Sequence, residues 1–329
     1  MNDLSTSPAP AGSQDGAPGA GLRALFIGGA PRSGTTLLGA MLGYGPNQLT
    51  VPEAVFKFHL LKDLRDDGLG LAPEAVTARL DADPVFPLWR VPLPEQTTGK
   101  VSYPDLIHQL VLAYGQRSGK GRAVHWIDHS PGNIRYATSL QRLFPDARFV
   151  NLIRDGRAVA ASVMPLDWGP NTISEAAKLW STHIAQGLAL ERQSPDGCLT
   201  VHYEELLRDP ETTLQQVCEF AGLQYDPAMV DSREYDASSH TRTDHGLVGN
   251  RPDPGRVDAW KSRLTPRQVE TFEFLTGELL DYLGYDMVHG SAALPSPRSE
   301  RLKDFSGHLL RRAVVDRWRG RGRPGIRTR

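Results

Sequence analysis

Residues 24–36 of this 329-residue chain, Ala-Leu-Phe-Ile-Gly-Gly-Ala-Pro-Arg-Ser-Gly-Thr-Thr, limit its folding options more than any other stretch. Ala24 to Ile27 is a short apolar run closed by Gly28 and Gly29, which reads as a buried strand. From Thr35 through Leu37, Leu38, Met41 and Leu42 the apolar residues recur at helical spacing. Between the two lies a glycine-rich turn carrying one arginine, Arg32. Strand, glycine turn and helix in that order aim backbone N–H groups and the positive end of a helix dipole at an anion such as a phosphate.

Gly29 and Gly34 stand at the spacing of the nucleotide-binding loop G-x-x-x-x-G-K-[ST]. The lysine that should follow the second glycine is absent, and Thr35 and Thr36 occupy its place. In triphosphate-using enzymes that lysine reaches the β- and γ-phosphates. A loop without it can still cradle a 5′-phosphate through Ser33, Gly34, Thr35 and Thr36, with Arg32 beside them. The plain alternative is an ordinary tight turn between a strand and a helix.

Further strands are predicted at 123–127, 147–153 and 198–202, and helices at 55–64, 73–80, 103–114, 133–143, 158–164, 174–192 and 266–283. Residues 84–94 form a proline-rich connection of the kind that often faces a substrate. Asp209-Pro210-Glu211 reads as a helix start, with Asp as N-cap and Pro at the first helical position. Thr265 plays the same capping part later. Helices alternating with short apolar strands predict an α/β fold of three layers, a central parallel sheet flanked by helices. Ligands of such sheets sit beyond the carboxyl ends of the strands. The polar residues at those ends are Arg32, His129, Arg154 and Tyr203.

A hydrophobic share of 40% and a formal charge of -1 allow an ordinary globular core. The charge is unevenly spread, since residues 298–329 hold eleven Lys or Arg against three acids. That end reads as a basic, flexible tail (289–329), and its 309–318 segment suits a weak contact with an anionic membrane surface. Residues 1–22, rich in Pro, Ala, Gly and Ser, read as a disordered leader without the apolar core of a secretory signal. Two cysteines, Cys198 and Cys218, form neither a disulfide framework nor a metal spacing, so a reducing, cytoplasmic compartment is the expectation. No apolar run approaches the length of a membrane span.

Four ordered motifs resemble those of the PAPS-dependent sulfotransferases, and among them the tyrosylprotein-sulfotransferase-like and bacterial types. They are Gly29-Ala30-Pro31-Arg32-Ser33-Gly34-Thr35-Thr36-Leu37; Phe149-Val150-Asn151-Leu152-Ile153-Arg154-Asp155-Gly156-Arg157 with Ser162; Val201-His202-Tyr203-Glu204-Glu205-Leu206 with Asp209-Pro210-Glu211; and the closing segment from Gly255 through Trp260 to Leu283-Gly284-Tyr285-Asp286. The likeness spans residues 23–286 within an expected domain of 23–288. It implies a P-loop-like fold and 3′-phosphoadenosine 5′-phosphosulfate (PAPS) as co-substrate, without a metal. It also implies in-line transfer of a sulfuryl group to a hydroxyl-bearing acceptor: a small molecule, lipid, sugar or tyrosine peptide. Nucleic acid is not an expected partner, and an oligomer is compatible with the pattern.

By position in those motifs, Ser33, Gly34, Thr35 and Thr36 would hold the 5′-phosphosulfate while Arg32 stabilises transition-state charge. Arg154 and Ser162 would bind the 3′-phosphate, with Tyr203 facing the nucleotide. Glu53 corresponds to the family's general base, its plain alternative being a carboxylate in the first turn of the following helix. Two positions depart from the pattern. A family lysine near the leaving oxygen is His129 here, which would act as a histidinium or else be a neutral structural residue. A lysine before the closing tryptophan is Ala259, leaving Arg256 as the candidate for that contact. The rival readings are a P-loop nucleotide kinase and a non-catalytic nucleotide-binding protein.

Overall fold

The computed structural model describes residues 21–45, 47–64, 70–93, 99–231 and 251–297. The strand at the glycine loop is β1 (Arg23–Gly29), and it lies in the middle of a five-stranded sheet. Its partners are β2 (Gln48–Val51), β5 (His125–Asp128), β6 (Arg148–Ile153) and β7 (Cys198–His202), in the order β2-β5-β1-β6-β7. Every pairing is parallel. A separate antiparallel pair joins β3 (Gly70–Leu71) to β4 (Val101–Ser102).

The continuous apolar run of β1 follows from burial on both sheet faces. Phe26 points to one face, edge-on to Trp126 at 5.2 Å and tilted against Phe149 at 5.4 Å. There it joins residues of α2 (Val55–Asp63), α3 (Pro73–Ala82), α4 (Phe86–Trp89), α5 (Tyr103–Arg117) and α6 (Ala137–Leu143). Leu25 and Ile27 point to the other face, against α1 (Thr35–Leu42), α9 (Tyr203–Arg208) and α10 (Pro210–Ala221). A third cluster around Ile153, Trp180 and Phe272 is built by α7 (Gly156–Val163), α8 (Ile173–Gln193) and α11 (Pro266–Tyr282). The three-layer α/β arrangement expected from the sequence is present.

The predicted caps form. Asp209 accepts from Thr212 N at 3.1 Å to open α10, and Thr265 with Gln268 makes a capping box on α11. The 133–143 segment differs from its prediction, opening as a 3₁₀ turn at Pro131–Asn133 and becoming α-helical only at Ala137. The proline-rich connection contains α4, and β2 was not foreseen. Only four residues long, β2 carries two polar side chains that donate to backbone carbonyls, Gln48 Nε2 to Gln224 O at 2.9 Å and Thr50 Oγ1 to Gly39 O at 2.6 Å. Its alternation, Gln-Leu-Thr-Val, is too short to mark a strand by pattern alone.

Residues 288–297, most of them in the segment read as tail, fold back along α11. Val288 N and His289 N donate to Glu273 at 2.9 and 2.7 Å, and Ser296 meets Thr271 hydroxyl to hydroxyl at 3.0 Å. The leader 1–20, the loop 232–250 and the tail 298–329 lie outside the described residues. Among the described residues no helix is long and apolar enough to cross a membrane.

Candidate active site

Each strand of the sheet delivers one candidate residue at or just beyond its carboxyl end. In spatial order these are Glu53 after β2, His129 after β5, the Arg32 loop after β1, Arg154 after β6 and Tyr203 after β7. With neighbouring strands about 4.8 Å apart, the row is roughly 20 Å from edge to edge.

The loop itself is tightly constrained. Arg32 and Gly34 both have left-handed backbones, with φ of 70° and 98°. Gly34 also lies under the Tyr203 ring, where an added Cβ would come within 2.4 Å of Tyr203 Cδ2. Two requirements, a positive φ and a missing side chain, thus fall on one residue. Gly34 is the N-cap of α1 and no side chain caps that helix end. Ser33 Oγ is buried and has no hydrogen-bond partner among the described residues.

Arg154 leans against this loop. Its Nη1 donates to Arg32 O at 2.7 Å, its guanidinium lies 4.4 Å from the Tyr203 ring centre, and Trp180 Nε1 fixes its carbonyl at 2.9 Å. Its Nε is buried with no partner among the described residues. Ser162, one helix away, accepts from Arg32 Nε at 3.2 Å. Burial pushes the Tyr203 hydroxyl up from its ordinary pKa; Arg154 opposes this, Glu204 reinforces it, and Arg256 and Arg32 oppose it more weakly. Three guanidinium groups therefore act on one tyrosine. Arg256 closes a 3₁₀ turn (Pro254–Arg256), with its half-exposed guanidinium 3.8 Å from Asp253.

At the other end of the row, Glu53 is half-buried between β2 and α2, where its carbonyl accepts from Trp89 Nε1 at 3.3 Å. Ala54 N donates to Ser130 Oγ at 2.9 Å, tying this turn to the end of β5. His129 is buried against Gly39 of α1; a Cβ there would stand 2.9 Å from His129 Cβ. Burial lowers the imidazole pKa to about 4, against the opposing charge of Asp128 and with help from Lys57. In the chain alone the lowered pKa favours the neutral ring over the histidinium at pH 7.

Residues 24–227 match the profile of the sulfotransferase family. The chain belongs to the sulfotransferase family. Protein-tyrosine sulfotransferase A of Caenorhabditis elegans is 26% identical over 279 residues, which cover 80% of this sulfotransferase and 67% of the relative. Nodulation protein NoeE of Sinorhizobium fredii is 27% identical over 289 residues, 79% of this chain and 65% of its own. Protein-tyrosine sulfotransferase 1 of Danio rerio is 22% identical over 226 residues, and the match spans only 56% of its length. Among solved structures, the sulfotransferase domain of the curacin biosynthetic pathway aligns with a TM-score of 0.55 at 19% identity, over 80% of this chain and 98% of that one. The sulfotransferase domain of the Synechococcus PCC 7002 olefin synthase aligns with the same TM-score at 23% identity, over 81% and 95%. At such identities the two structures speak for the fold.

Two charged groups of this sulfotransferase were not singled out from its sequence. Lys57, on α2, is 1% exposed and donates to Asp128 and Asn133. A lone lysine inside Val55-Phe56-Lys57-Phe58 was the available signal. Arg157 is buried between Asp155 at 2.8 Å and Glu273 at 2.6 Å, with Trp260 4.3 Å from its guanidinium. It also donates to Asp286 O at 2.8 Å, so the closing segment is latched to the Arg154 turn. Arg157 lay within a recognised motif, but its partners come from distant chain.

Proposed function

We propose that this sulfotransferase takes PAPS as donor and an alcohol or phenol hydroxyl as acceptor, with Glu53 as general base. The observation that carries this reading is the order of the strand ends. A carboxylate stands at one edge, an imidazole next to it, an anion loop in the centre and a second arginine turn beyond. A donor with anionic groups at both the 5′ and 3′ positions needs two cradles side by side, and an acceptor base on the far side of the first.

The residues present fit such a nucleotide. Ser33 Oγ and Arg154 Nε, one on each turn, are buried polar atoms lacking protein partners among the described residues. The N–H groups of Ser33 to Thr36 would hold the 5′ end, and Arg154 with Ser162 the 3′-phosphate. Tyr203, stacked on Gly34 and Arg154, would support the nucleotide from below, with Arg256 at its rim. When bound, the donor supplies an activated sulfuryl group whose bond to the phosphate oxygen is the one broken. Arg32 then stabilises charge on the transferring oxygens. His129, neutral, offers an N–H rather than a full charge toward the departing oxygen. Glu53 orients the acceptor hydroxyl and takes its proton as the new S–O bond forms.

Sulfuryl transfer, like phosphoryl transfer, depends on positioning and electrostatics. Loss of the base should therefore separate binding from turnover. Glu53→Gln is expected to bind 3′-phosphoadenosine 5′-phosphate (PAP) as tightly as the parent while kcat falls about 10²-fold or more. Calorimetry with PAP and a labelled-donor assay across phenols, alcohols, sugars and tyrosine peptides measure the two. Undiminished turnover would remove Glu53 from the role.

A further inference from the structure

We propose that Lys57 is a positioning residue, holding Glu53 and His129 in register with the anion loop through a buried ring of hydrogen bonds. The inference rests on the reading of Glu53 as base. Lys57 lies one helical turn beyond Glu53, and its ammonium reaches Asp128, the last residue of β5, and Asn133. Asn133 Nδ2 donates to Ile27 O on β1 and to Asp128 O, each at 2.9 Å. Ser130 N donates to Asp128 Oδ1 at 2.8 Å, and Ser130 Oγ accepts from Ala54 N at 2.9 Å. Lys57 N returns to Ala54 O at 3.1 Å, and Tyr103 hydroxyl fixes Lys57 O at 3.1 Å.

The path Ala54–Ser130–Asp128–Lys57–Ala54 is therefore closed. Glu53 is attached to it on one side, and His129 is the residue between Asp128 and Ser130. Asn133 extends the ring to the strand that carries the glycine loop. Three strand ends far apart in sequence are tied together by this network, and the ammonium closes it between Asp128 and Asn133.

Stability does not account for such a group. A buried ion pair commonly contributes less than well-packed apolar residues of the same volume, because both charges must leave water. Phe26 and Phe58 already crowd the ammonium, at 5.0 and 4.7 Å from their ring centres, so an apolar side chain would be accommodated here. What an apolar pair lacks is direction. Misplacing a reacting group by about 1 Å can cost about 10²-fold in rate.

The test uses Lys57→Met, the double variant Lys57→Met/Asp128→Leu, and Lys57→Met in the Glu53→Gln background. For each, kcat, acceptor KM, the dissociation constant of PAP and the melting temperature are measured. Lys57→Met is expected to lose about 10²-fold in kcat while PAP affinity and acceptor KM stay within about threefold. The double variant, free of an unpaired buried carboxylate, should recover the melting temperature but not kcat. In the Glu53→Gln background, Lys57→Met should cost clearly less rate than in the parent, since its hold on the base no longer counts and only its hold on His129 remains. Recovery of kcat together with melting temperature would reduce Lys57 to a structural residue and overturn the proposal. So would a loss that multiplies on Glu53→Gln. Full turnover in Glu53→Gln alone is a different result, and it sinks the base assignment itself.

Discussion

His129 shows how far a residue's chemistry is set by its surroundings. Its position after a strand was legible, but its charge state depends on packing against Gly39 and between Asp128 and Lys57, which no local pattern encodes. Burial dominates and lowers its pKa to about 4. The kcat/KM profile for the donor, which reports the free enzyme, should accordingly show no histidine inflection between about pH 5 and 8. A fall centred near the ordinary imidazole value of about 6.5 would contradict the neutral assignment. The sign for folding follows from the same shift. Because the folded pKa is depressed, this contribution is full above the unfolded value and is lost as pH falls toward the folded one. Lys57 was the larger oversight at this scale. A lysine in an apolar helix face is normally a solvated residue, and only the approach of Asp128 from a distant strand reveals otherwise.

Elements were read well where they are long, capped or bounded by glycine, and poorly where tertiary contacts define them. β1, β6, β7 and α11 carry their own signals, whereas β2 exists because β5 pairs with it. The turn after β6 is also a tertiary product. Arg157 joins it to α11 through Glu273, whose carboxyl would be raised by burial but is held below its ordinary value by Val288 N, His289 N and Arg157. Replacing Glu273 by Gln should lower stability by about 2 kcal/mol at pH 7, a loss typical of hydrogen bonds to charged groups. The native contribution is fully present above the unfolded carboxylate pKa of about 4.5 and disappears as pH falls through the depressed folded value. Melting curves of the parent and Glu273→Gln should therefore converge as pH falls through that depressed folded value. A gap that stays constant with pH would show that ionisation of Glu273 is not what holds the latch.

For the whole molecule, a parallel sheet covered on both faces was legible from the alternation of strands and helices, but the order β2-β5-β1-β6-β7 was not. Strand order depends on non-local pairing, and it is strand order that sets Glu53 at one edge and Arg154 beyond the loop. On the proposed function, two neighbouring turns grip opposite ends of one nucleotide. Titration calorimetry comparing PAP with adenosine 5′-phosphate tests it most directly, in the parent and in Arg154→Ala. The parent should prefer the 3′-phosphorylated nucleotide by about 100-fold, or about 2.7 kcal/mol, and Arg154→Ala should lose most of that preference while still binding the 5′-phosphate. Equal affinity of the parent for both nucleotides would mean that the Arg154 turn does not hold a 3′-phosphate.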